Sequence, residues 1–169
     1  FNLQKIRDMW MCGGSYGSSY FLTAQGRIYS CGYNGYGQLG INSTSQATAP
    51  LLAIGENGSG AHLELDVGET IVKFWCDERA SYGRACALTS AGKIYTTGYN
   101  ARGWAMSGTT SQQNIFTQAS LGYGSGTGSA ANFWLIGCGQ YGSIYVKGDD
   151  GNMQACGSNQ NYQLCNGSS

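Results

Sequence analysis

Short apolar runs alternate along the chain with glycine-rich polar ones. IVKFWCD (71–77) is apolar and rich in β-branched and aromatic residues. After a Tyr-Gly break, RACALTS (84–90) follows, and KIYTTG (93–98) begins directly after Gly92. Runs of this length, bounded by turn residues, read as strands. No segment sustains an apolar period of 3.6 residues with caps, so no helix is expected. The connections AQG (24–26), SAG (90–92) and DDG (149–151) end in Gly26, Gly92 and Gly151. Glycine takes positive φ without steric cost, which suits tight hairpins. A further strand per unit is expected at PLLAI (50–54) and IFTQA (115–119).

The pattern recurs. YFLTAQGRIYSCGYNGYGQLG (20–40) aligns with CALTSAGKIYTTGYNARGWAM (86–106) and YVKGDDGNMQACGSNQNYQLC (145–165). Gly26, Gly92 and Gly151 fall in phase, as do Gly32, Gly98 and Gly157, and then Asn34, Asn100 and Asn159. Upstream, Tyr16-Gly17, Tyr82-Gly83 and Tyr141-Gly142 align as well. The hairpin glycines lie 66 and 59 residues apart. A period of that size marks a stacked supersecondary unit. Four short antiparallel strands per unit make a β-propeller blade. The expected fold is therefore all-β, one repeat domain over 1–169 with units near 5–54, 71–119 and 132–169. The polar stretches INSTSQATA (41–49), GENGSGAHLEL (55–65) and GYGSGTGSAA (122–131) read as rim loops.

Charge narrows the function. Charged residues are 11% of the chain, with nine Lys plus Arg against nine Asp plus Glu. That balance argues against nucleic-acid binding, which needs clustered Lys and Arg, and against a polybasic membrane contact. No apolar run approaches the roughly 20 residues that span a bilayer. Gly-, Ser-, Asn- and Tyr-rich composition of this kind suits secreted or virion surface proteins.

Candidate chemistry is sparse. His62 is the only histidine, and the seven cysteines form no Cys-x-x-Cys pair. No metal site and no cofactor are expected. The cysteines read either as buried free thiols or as one or more disulfides in an oxidising setting. Asp149 and Asp150 read as turn residues, and Asp77-Glu78 as a solvated strand end. GYGSGTG (122–128) lacks the Lys-Ser/Thr of a phosphate loop. No catalytic residues are assigned. Trp10, Trp75 and Trp134 recur just upstream of each Tyr-Gly step and read as core residues of one strand. The asparagines read as satisfying backbone groups in the Gly-x-Asn corner. Tyr33, Tyr36, Tyr99, Trp104 and Tyr162 are candidate rim aromatics, placed to stack on sugars or grip a protein.

The run 22–40 resembles the repeat of the RCC1 (regulator of chromosome condensation) family through Gly32, Asn34, Gly37, Gln38, Leu39 and Gly40. The second copy keeps Gly98, Asn100 and Gly103, with Trp104, Ala105 and Met106 in place of Gln-Leu-Gly. The third keeps Gly157, Asn159, Gln163 and Leu164, with Tyr162 and Cys165 replacing glycines. The resemblance implies a seven-bladed ring, which three units cannot close. The expectation is a fragment of a longer chain. RCC1-like repeats occur in some bacteriophage fibre proteins. The expected role is thus a non-enzymatic virion module (tail, collar or head fibre) for assembly or host attachment, not inserted in a membrane. Its partners would be other virion proteins, a second copy, or a host surface glycan or protein. The alternatives are guanine nucleotide exchange, which the resemblance also implies, and a secreted protein-binding propeller.

Overall fold

The computed structural model describes residues 5–13, 16–56, 62–77, 82–121, 129–136 and 141–165. The loop 122–128, Glu78 and Cys138 lie outside them. Among the described residues the strands form three antiparallel sheets. The first pairs β1 (Ile6–Cys12), β2 (Ser18–Thr23), β3 (Ile28–Gly32) and β4 (Ala47–Leu52) in sequence order. The second repeats this with β5 (Ile71–Cys76), β6 (Arg84–Thr89), β7 (Ile94–Gly98) and β8 (Gln113–Gln118). The third pairs β9 (Ala130–Ile136), β10 (Ser143–Gly148) and β11 (Met153–Gly157). Each β-hairpin turns through its expected glycine: Gly26, Gly92 and Gly151 have φ of +78, +76 and +86°. The fourth strands begin earlier than expected, because Ala47 pairs with Gly32 and Gln113 with Gly98.

Burial shows how the sheets stack. Strand side chains alternate between two faces. On β2, Tyr20 and Leu22 are buried while Phe21 is half-exposed. On β6 and β7 every residue is buried. The middle blade is therefore packed on both faces. Tyr20, Leu22 and Ile28 join Ala85, Ala87, Tyr95 and Phe116 in one core. Cys86, Leu88 and Ile94 join Phe133, Ile144 and Val146 in the next. A disulfide links Cys12 at the end of β1 to Cys76 at the end of β5, with Cα atoms 5.9 Å apart. Cys31, Cys86, Cys156 and Cys165 are free thiols, of which Cys86 is buried.

The tryptophans follow the same geometry. Trp10, Trp75 and Trp134 pair with Tyr20, Cys86 and Tyr145 on the second strand of each blade. Trp10 stacks on Phe74 of the second blade at 4.6 Å, and Trp75 packs against the second core. Trp134 is 44% exposed, because no described blade follows the third. All three stand on the first strand of their blade, as expected; Trp10 and Trp75 pack against the cores, and Trp134 does not.

Candidate functional site

Each blade reverses in a corner after its third strand. Gly32, Gly98 and Gly157 have φ of +108, +103 and +117°. A Cβ on any of them would strike the carbonyl of Gly17, Gly83 or Gly142 respectively. The same carbonyls accept the next amide: Tyr33 N–H donates to Gly17 at 2.9 Å, Tyr99 to Gly83 at 3.0 Å and Ser158 to Gly142 at 3.3 Å. The Tyr-Gly step and the corner glycine are thus one structural unit. The asparagine two residues on holds the loop that follows. Its Oδ1 accepts the amide of Leu39, Ala105 or Leu164 at 2.9, 3.0 and 2.8 Å. The Nδ2 of Asn34 donates to the Ser43 and Ser45 carbonyls, and that of Asn100 to those of Thr109 and Ser111. Asn34 and Asn100 are fully buried with their amides paired, as buried polar groups must be.

These corners line up tyrosines. Tyr16 and Tyr33 lie 4.7 Å apart between ring centroids, and Tyr82 and Tyr99 repeat that pair at 4.7 Å. Tyr36, from the first blade's corner, crosses to the second pair, 5.1 Å from Tyr82 and 5.4 Å from Tyr99. Arg102 holds the position equivalent to Tyr36 and sits 6.0 Å over the ring of Tyr141 on the third blade. Burial, and then the neighbouring phenols, push the Tyr36 phenol above its ordinary value. It stays neutral across the physiological range.

Beneath this face is an ionic contact particular to the middle blade. Ser18 and Ser143 pair with the corner glycines Gly32 and Gly157 and donate to the carbonyls of Tyr33 and Ser158. The equivalent residue on β6 is Arg84, whose Nη2 lies 2.9 Å from Asp77 Oδ2. Its guanidinium stands 5.1 Å from the Trp104 ring and 5.7 Å from Trp75. It also lies against Gly142, where a side chain would collide with it. Asp77 is 4% exposed, not the solvated strand end its sequence position suggests. Its partner is the first residue of the neighbouring strand.

The RCC1 (regulator of chromosome condensation) repeat model matches residues 25–62, the part of the first blade that holds its corner. The match lies within the first blade. The solved structure of human WBSCR16 shares 22% identity with a TM-score of 0.64, over 93% of this chain and 34% of that one. Prp20p from Saccharomyces cerevisiae, in a structure described with its binding properties to Gsp1p and histones, shares 16% at a TM-score of 0.62, over 96% and 34%. Yeast RCC1 (Prp20) with Kap60 bound shares 15% at 0.64, over 97% and 34%. The chain spans about a third of the length of these structures. The shared feature is the fold, an RCC1-like propeller.

On this framework Tyr36 and Tyr99, two of the candidate rim aromatics, meet across the blade boundary, and a third, Tyr33, stands beside Tyr16. Trp104 does not join them: it is 1% exposed and donates its indole N–H to the Tyr99 carbonyl. It fills the place that Gln38 takes one blade earlier, where the Gln38 side chain lies against Gly83. Tyr162 is exposed and occupies the place of Gly37 and Gly103, keeping their left-handed backbone at φ +58°. Tyr16, Tyr82 and Tyr141 were legible only as repeat markers. The hairpin register, which sets them two residues before the partner of each corner glycine, is the signal that places them at the site. Among the described residues no cluster of three His, Cys, Asp or Glu side chains could hold a metal ion. His62 is half-buried, in a β-bridge with Ile54. The site offers ring faces, phenolic hydroxyls and one guanidinium, which suits recognition.

Proposed function

We propose that this chain is a non-catalytic recognition module that binds through its tyrosine corners, within a virion or another extracellular assembly, in attachment or assembly. The observation that carries the reading is the reach of Tyr36 onto Tyr82 and Tyr99 across the blade boundary. Tyrosine gives a large, rigid contact area at low entropic cost. A protein-binding role is in keeping with the RCC1-type structures described with Gsp1p, histones and Kap60. The Cys12–Cys76 disulfide and the charge-poor sequence support an extracellular setting.

The test is capture on an array of purified envelope proteins and cell-surface polysaccharides, comparing the parent chain with Tyr36→Ser and Tyr99→Ser at matched thermal midpoints. Binding lost in both variants supports the reading. Binding unchanged in both places the recognition surface elsewhere. Faster nucleotide release from a small GTPase, with no capture on the array, would support the exchange-factor alternative instead.

A further inference from the structure

We infer that the tyrosine corners form one continuous track for a linear, uncharged polysaccharide. The inference deepens the recognition reading and rests on it. First, the patches are joined. Tyr36 and Arg102 occupy the same repeat position, and each reaches onto the Tyr-Gly step of the following blade. A surface that repeats blade by blade and is bridged at each boundary fits a ligand that itself repeats.

Second, the charge is wrong for a polyanion. Strong binding of a phosphate or sulfate polymer takes a series of cations. Among the ring contacts of the track, Arg102 is the one cation, and it lies over the face of Tyr141. Third, the chemistry suits a sugar. A pyranose presents apolar C–H faces and hydroxyl edges, and tyrosine presents an apolar ring face with a polar tip. Beside Arg102 the track continues into a cleft of about 410 Å³ lined by Ser158, Asn159 and Gln160. Of these, the exposed Gln160 amide can pair with ring hydroxyls.

Calorimetric titration of the whole chain tests this. The probes are neutral gluco-, manno- and xylo-hexaoses, their disaccharides, heparin and a polyproline peptide. A hexaose should bind about tenfold or more tighter than its disaccharide. Tyr82→Ala and Tyr141→Ala should each weaken it by a similar factor, while Val67→Ala, at a fully exposed loop position outside the track, should not. Tyr141 is 48% exposed, so its variant keeps the test valid if Tyr82→Ala unfolds. No hexaose binding, or binding of heparin alone, overturns the inference. Polyproline binding that the same variants abolish overturns only the carbohydrate assignment and leaves the recognition reading standing.

Discussion

Arg84 and Asp77 form a salt bridge of 2.9 Å in which each side chain is 1% exposed. Their two strands are neighbours, and the guanidinium lies between Trp75 and Trp104. Breaking a buried pair by removing one partner strands the other charge and costs about 3–5 kcal/mol. Asp77→Ala should therefore lower unfolding stability by about that amount in urea titration. The double variant Asp77→Ala/Arg84→Ser restores the serine of the flanking blades. It should lose clearly less than the two single variants added together, and strict additivity would show that the charges act independently.

The left-handed corner positions make opposite predictions at glycine and non-glycine sites. At Gly98 a methyl group meets both positive φ and the Gly83 carbonyl, so Gly98→Ala should cost about 2–6 kcal/mol. Gly40 has φ +66°, whereas Met106 and Cys165 hold the equivalent backbone at +55°. Cys165 is exposed, so Cys165→Gly relieves strain with little packing lost. It should raise stability by up to about 1 kcal/mol. A fall in midpoint for Cys165→Gly would show that its side chain is held by something other than the backbone.

Alkali should unfold the protein through Tyr20. This phenol is wholly buried, donates to the Gln38 carbonyl at 2.8 Å, and is pushed far above its ordinary value by burial. The folded form keeps its proton while the unfolded form ionises near pH 10. Its contribution is intact below that pH, and above it stability falls by about 1.4 kcal/mol per pH unit. Burial also raises the Cys86 thiol, which adds a loss beginning near pH 8.5. Tyr20→Phe should be less stable at neutral pH by about 1 kcal/mol, with a shallower decline above pH 10 in urea midpoints. An unchanged slope would remove Tyr20 from the alkaline transition.

The repeat was legible because its marks are backbone requirements. Gly32, Gly98 and Gly157 must be glycine whatever packs around them, and Asn34, Asn100 and Asn159 answer to their own loops. What escaped the sequence depends on contact between blades. Asp77 looks solvated until Arg84 is known to stand where the other blades have serine. Trp104 looks like a rim aromatic until the third blade covers it. Tyr16, Tyr82 and Tyr141 look like spacers until the register brings them beside the corners. The exposure of Trp134 follows from its place in the stack, since its equivalents are covered only by the next sheet.

The Cys12–Cys76 bond closes a covalent loop that contains β2, β3 and β4. Toward a protease, the first two blades are therefore one object. A single cut anywhere between those cysteines opens the ring and releases nothing, whereas a cut between β8 and β9 severs the third blade's covalent link to the other two. Nicked material of the first kind would keep its full mass on a gel until a reductant is added.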